Sequence, residues 1–131
     1  MIGIDTNVLV RYITQDDRQQ SSQANKLIEN KLTQDNCGLI SKIVLCELSW
    51  VLSYAYTYSK EQIVEVIQQI LITQEFILED AENALLALQH YRKGKAGFAD
   101  YFLAQTHNAM GAEYTVTFDK KALKDKLFHK V

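Results

Sequence analysis

The sequence predicts an α/β fold: a mainly parallel sheet of four to five strands with helices on both sides, in one domain spanning residues 1–131. Short apolar runs bounded by turn residues alternate with longer stretches of helical periodicity along the chain. That alternation implies parallel strands, which need crossover connections that helices supply. A chain of 131 residues with 47% hydrophobic and 23% charged content has the size and composition of one globular domain. There is no proline, repeat, low-complexity tract or linker at which to draw a boundary.

Ile2 to Ile4 reads as a short buried strand ending at Asp5-Thr6-Asn7, residue types that favour turns and helix N-caps. A helix carrying Val8, Leu9, Tyr12 and Ile13 follows, then a second from Asp17 to Asn30 with Ala24, Leu27 and Ile28 inward. Gly38 to Ile40 gives the second strand, and Ser41 caps a helix from Lys42 to Tyr54. Ser59 and Gln62 form a capping-box pattern before Ile63, Val66, Ile67, Ile70 and Leu71, which recur at helical spacing. Phe76 to Leu78 is the third strand. Asp80 is placed to cap the next helix, which runs to Lys93, and Gly94 to end it. A helix from Phe98 to Met110 ends at Gly111, Tyr114 to Thr117 forms the fourth strand, and a short helix from Lys120 to Lys126 closes the pattern.

The formal net charge of −2 argues against a protein that grips nucleic acid by bulk charge. The distribution is uneven: Arg92, Lys93 and Lys95 form one basic cluster, and five lysines against two aspartates lie between Asp119 and Val131. Such runs are ordinarily solvated surface, but both adjoin acids singled out below, so Arg92, Lys93, Lys95, Lys120 and Lys121 are candidate nucleic-acid contacts. Cys37 and Cys46 lie in apolar stretches without C-x-x-C spacing, as buried thiols do. No run approaches the ~18 apolar residues of a membrane span, so the expectation is a cytoplasmic protein with no membrane association.

Four separated acids carry the chemistry: Asp5, Glu47, Asp100 and Asp119. Asp5 follows the first strand and Asp119 the fourth, so parallel strands set both at the carboxyl edge, where ligands of such sheets bind. Glu47 has Ile43, Val44, Trp50 and Val51 one turn either way, an apolar face on which a buried carboxylate calls for a cation, a proton or strong hydrogen bonds. Asp100 lies in Phe98-Ala99-Asp100-Tyr101-Phe102, within a first helical turn. Each has a structural reading too: Asp5 as a turn or N-cap residue, Asp100 as a partner of the helix dipole, Asp119 as a cap. Gathered carboxylates repel, by about 4 kcal/mol for a pair ~4 Å apart at an effective dielectric near 20. An oxygen-only set suits Mg²⁺ or Mn²⁺.

The pattern resembles the PIN-domain nucleases, and within them the VapC-type toxins of toxin–antitoxin modules, from Met1 to about Leu123. It is carried by Ile4-Asp5-Thr6-Asn7, by Glu47 on the helix after the second strand, by Phe98-Ala99-Asp100-Tyr101, and by Thr115-Val116-Thr117-Phe118-Asp119. The resemblance implies a single PIN-like domain whose catalytic and metal site is Asp5, Glu47, Asp100 and Asp119, with Thr6, Asn7 or Thr117 hydrogen-bonding those ligands. It implies Mg²⁺- or Mn²⁺-dependent cleavage of RNA to a 3′-hydroxyl and 5′-phosphate, and a homodimer silenced by a small antitoxin protein. One departure is expected: many relatives carry a further strand after the last helix, where this chain reaches Val131.

Other readings fit less well. A receiver-like signalling domain also has an acidic Mg²⁺ pocket, but requires adjacent acids after its first strand and an aspartate after a middle one; Asp5 stands alone and no aspartate lies between Asp35 and Asp80. A catalytically silent PIN-like interaction module is the other alternative. His90, His107 and His129 are isolated, as surface or core histidines with satisfied rings are. No nucleotide-binding glycine motif occurs.

Overall fold

The computed structural model describes all 131 residues and divides into two compact units, Met1–Ala81 and Glu82–Val131. The first is built on three parallel strands, β1 (Ile2–Gly3), β2 (Gly38–Ile40) and β3 (Phe76–Leu78), in that order across the sheet. Backbone bonds from Ile2 N–H to Cys37 O and Ile4 N–H to Leu39 O, both 2.9 Å, fix β1 on β2; Gly38 N–H to Glu75 O and Glu79 N–H to Ile40 O, both 2.8 Å, fix β2 on β3. The crossovers are α1 (Thr6–Thr14) and α2 (Arg18–Lys26) between β1 and β2, and α3 (Lys42–Tyr54) and α4 (Lys60–Ile72) between β2 and β3.

The starts of α3 and α4 lie where the sequence puts them because their caps are chemical. Ser41 Oγ accepts from Val44 N–H at 3.3 Å. At α4 both halves of the capping box form, Gln62 N–H to Ser59 Oγ at 3.2 Å and Ser59 N–H to Gln62 Oε1 at 2.8 Å. The expected helix to Asn30 changes pitch: after Lys26 the chain widens into a π turn, Leu27–Lys31, closed by Leu32 N–H on Leu27 O at 3.0 Å, which leaves both Ile28 and Leu32 buried. Leu45, Leu48 and Leu52 of α3 are wholly buried, each contributing roughly 1.5–3 kcal/mol of transfer free energy. Arg11 of α1 binds Gln20, Asp16 and Tyr56, tying α1 to α2 and to the loop after α3. The Tyr56 hydroxyl, with help from Thr14 and Arg11, holds the Asp16 carboxyl below its ordinary value.

The second unit carries α5 (Ala81–Lys93), which starts at the boundary residue, then α6 (Phe98–Ala109), β4 (Thr115–Thr117) and β5 (Phe128–Lys130). Its core is aromatic: Tyr91 meets Phe98 edge-on with centroids 6.1 Å apart, Phe98 meets Phe102 at 5.7 Å, and Tyr101 meets Phe128 at 6.3 Å. Gly111, at φ 103°, makes the left-handed turn that ends α6.

Several expectations are corrected. The strands form a three-stranded and a two-stranded parallel sheet, not one sheet of four to five. The last helix is a single 3₁₀ turn, Ala122–Lys124, and the strand expected to be missing is present as β5, paired with β4 in parallel. Asp80 has the left-handed φ of 58°, not the extended conformation of an N-cap, and its carboxylate takes a 2.9 Å ion pair from Lys42 Nζ. Gly94 is not left-handed; its N–H bonds His90 O at 2.9 Å. Glycine is needed there for space: a Cβ would overlap the Tyr101 hydroxyl and lie 2.6 Å from Cζ of that ring. Cys37 is buried as expected, whereas Cys46 is half-buried; both are free thiols.

Tyr101 is fully buried and its hydroxyl is held by the Ala96 N–H, so it has no room to retreat. Gly94→Ala should therefore cost about 1–3 kcal/mol and lower the thermal midpoint by several degrees. An unchanged melting curve would show that the ring can move aside.

Candidate functional site

The parallel register of β1, β2 and β3 sets the residues that follow them along one edge of the first unit. Asp5 follows β1 at Ile4, Ser41 follows β2 and Glu79 follows β3, and all three line one open depression together with Leu39, Ile40 and Leu78. Glu79 and Asp80 were not singled out as site residues, although a strand end was the signal that found Asp5. Both act on α3: Glu79 Oε1 accepts from the Lys42 backbone N–H at 3.0 Å and Asp80 pairs with the Lys42 ammonium.

Asp5 occupies the N-cap position of α1, with φ −79° and ψ 156°, yet its carboxylate makes no capping bond. N-cap aspartates ordinarily accept from the second or third helical N–H. Here the backbone carbonyl of Asp5 accepts from Val8 N–H at 3.1 Å, while both carboxylate oxygens, on an exposed residue, remain open to a ligand. The next residue, Thr6, is buried, and its hydroxyl donates to Glu47 Oε1 at 3.3 Å. The first unit thus links the head of α1 to the carboxylate on α3 through one hydroxyl. Asn7 is exposed and lines a separate depression with Arg11, Gln20 and Gln23.

Glu47 is not the buried charge in need of a cation that its apolar neighbours predict. Glu47 is exposed, and so are its neighbours Ile43 (68%) and Trp50 (53%). Of the four apolar residues one turn away, α3 turns Ile43 and Trp50 outward, leaves Val51 half-buried and buries Val44 together with Leu45, Leu48 and Leu52. No desolvation penalty therefore demands a metal at Glu47.

In the second unit each proposed acid has one oxygen engaged by its own backbone. Asp100 Oδ2 accepts from Gly97 N–H at 3.0 Å, closing the first turn of α6. Asp119 Oδ1 accepts from Lys121 N–H at 2.8 Å and from Ala122 N–H at 3.5 Å, and its own N–H is held by Thr117 Oγ1 at 3.0 Å. The capping roles are thus realised at Asp100 and Asp119, each leaving its other oxygen for a ligand. Arg92, Lys93, Lys95, Lys120 and Lys121 are all exposed in this unit. The three histidines have ring partners: His90 stacks on Tyr101, His107 Nδ1 lies 2.9 Å from Thr115 Oγ1, and His129 stacks on Tyr114.

Neither unit by itself groups three or more acidic, histidine or cysteine side chains that could hold a metal ion. The donors of the proposed acids are all oxygens, the chemistry a hard divalent cation takes: in the first unit Asp5 offers two free oxygens and Glu47 a carboxylate that accepts from Thr6, and in the second Asp100 and Asp119 offer one free oxygen each.

Among known proteins, the PIN domain family model matches residues 2–126 of the chain. No curated protein and no solved structure matches it.

The hydrogen bonds separate structural acids from an uncommitted one. Asp100→Ala and Asp119→Ala should each lose about 1 kcal/mol of stability with the lost cap, whereas Asp5→Ala should change it by less than about 0.5 kcal/mol. Thermal melts of the three variants measure this; a loss at Asp5 equal to that at Asp100 would make Asp5 a structural cap.

Proposed function

This chain belongs to the PIN-domain family, and from that premise we propose that it is a Mg²⁺- or Mn²⁺-dependent endoribonuclease acting as the toxin of a toxin–antitoxin pair. PIN domains are generally of nuclease fold and typically metal-dependent. The observation that carries the reading is Asp5, an acid at the end of the first strand and inside the matched segment, whose carboxylate makes no bond to the helix it heads.

In this reading Asp5, Glu47, Asp100 and Asp119 hold the ion. Thr6 orients Glu47 by its hydroxyl, and Thr117 sets the backbone of Asp119. When bound, such an ion activates water and stabilises in-line displacement at a phosphodiester. The lysines near Asp119, with Arg92, Lys93 and Lys95, neutralise RNA phosphates. The toxin acts in the cytoplasm; no helix is long and apolar enough to cross a membrane. Its cognate antitoxin and a second copy are its protein partners, a reading supported by the exposed stripe of Ile43, Trp50 and Tyr54 on α3. A catalytically silent PIN module is the second reading, favoured by the capping bonds of Asp100 and Asp119.

Purified protein should cleave RNA with Mg²⁺ or Mn²⁺ and not with EDTA, and Asp5→Asn or Glu47→Gln should lower the rate by at least about 100-fold, the scale on which electrostatic and metal-positioning groups act. Variants as active as the parent would sink the four-acid assignment, and an inactive parent would leave the silent module. Expression alone should arrest growth, and coexpression of a small neighbouring protein should relieve it. Normal growth without that neighbour would overturn the toxin role and leave the nuclease.

A further inference from the structure

The second unit presents exposed aromatic rings, among lysines already assigned to phosphates, that the proposed chemistry does not use. From Tyr114, just before β4, to Phe118, just after it, Tyr114, Val116 and Phe118 alternate with Thr115 and Thr117. The first set is exposed at 48%, 55% and 85%, whereas Thr115 is buried. Val116 pairs with His129 across the parallel ladder, and the His129 ring lies flat on Tyr114, with centroids 4.0 Å apart and planes 7° from parallel. Beyond the strand ends, Phe118 lines an open depression with Thr117, Lys120, Leu123, Lys130 and Val131. Its volume of ≈ 490 Å³ falls within the ~300–1,000 Å³ of small-ligand clefts.

A phenylalanine 85% exposed contributes nothing to the core, and a lone one would need no explanation. This one immediately precedes Asp119, an acid of the proposed site, and shares its depression with two lysines. The surrounding segment, from Asp119 to Val131, carries five lysines against two aspartates in a chain whose net charge is −2. Flat rings interleaved with ammonium groups suit unpaired bases joined by phosphates. Every base has a π-face for an aromatic ring, and lysines follow the backbone. Exposed rings also serve protein interfaces, but lysines spaced among them match the regular phosphates of a nucleic-acid strand.

We propose that Phe118, with Lys120 and Lys130, forms a base-stacking subsite that holds an unpaired nucleotide of RNA next to Asp119, so that the enzyme selects single-stranded over paired RNA. The proposal rests on the nuclease reading above and adds to it a positioning residue. Phe118 stacks on the face of a base, Lys120 and Lys130 take the flanking phosphates, and the register of the strand relative to Asp119 is set by which nucleotide occupies the stack. In a duplex both faces of each base are already covered by its neighbours, so paired RNA gains nothing from the ring.

The test is binding of fluorescein-labelled short single-stranded RNA to the full chain in EDTA, read by anisotropy, with the corresponding RNA duplex as control. Phe118→Ala should weaken single-strand binding about tenfold, leave duplex binding and the melting temperature unchanged, and be rescued by Phe118→Trp. Lys120→Gln and Lys130→Gln should each reduce the salt dependence of binding by about one phosphate contact. Cleavage of the same RNA with Mn²⁺ is measured in parallel. Equal single-strand affinity of parent and Phe118→Ala overturns the subsite, and does so without touching the nuclease reading if the parent still cleaves. A parent that neither binds nor cleaves ends both readings. If Phe118→Ala instead turns a dimer into a monomer in sedimentation while RNA binding is unchanged, the surface is a protein interface and the proposal is wrong.

Discussion

The parallel hydrogen bonding of β1, β2 and β3 is the constraint from which the rest of the first unit follows. Two bonds on each side of β2 lock the register, and because the three strands run the same way their carboxyl ends fall together. Whatever residue the sequence places immediately after each strand is thereby delivered to one edge. Parallel pairing also forces a crossover after each strand, so a helix must begin at that edge. The residues that follow strands therefore head helices: Asp5 stands before α1, which begins at Thr6, and Ser41 before α3, which begins at Lys42. At such a junction a polar side chain either caps its helix or faces outward to a ligand. Ser41 caps, and Asp5 does not.

That division, between side chains engaged by their own backbone and those left open, organises the electrostatics more than burial does. Glu79 and Asp80 are committed to Lys42, Asp100 to Gly97, and Asp119 to Lys121. Glu47 receives only the Thr6 hydroxyl at 3.3 Å. A carboxylate accepting one backbone bond keeps lone pairs on its second oxygen, so a cap and a ligand are compatible roles for one residue. The second unit holds its surface in place by a different means, an aromatic core in which Tyr101 fits because position 94 has no side chain. Phe128 of β5 reaches into that core and so fixes the strand whose outer face carries His129.

The sequence by itself determined the secondary structure where the local chemistry is self-sufficient. Caps at Ser41 and Ser59 and the three-residue strands at Gly38 and Phe76 fall where composition and periodicity put them, because a cap or a short apolar run between polar turns is decided within a few residues. The placement of Asp5 at a strand end was legible for the same reason. Tertiary structure decided what periodicity leaves open. Ile43 and Trp50 gave no sign that they face solvent, since a helix with apolar residues on more than one face must choose which to bury, and packing against α1 and α4 accompanies the burial of Leu45, Leu48 and Leu52. Strand β5 was invisible because His129 and Lys130 are polar, and only pairing with β4 makes a strand of them. Gly94 looked like a helix stop, and only the ring of Tyr101 shows that its requirement is space.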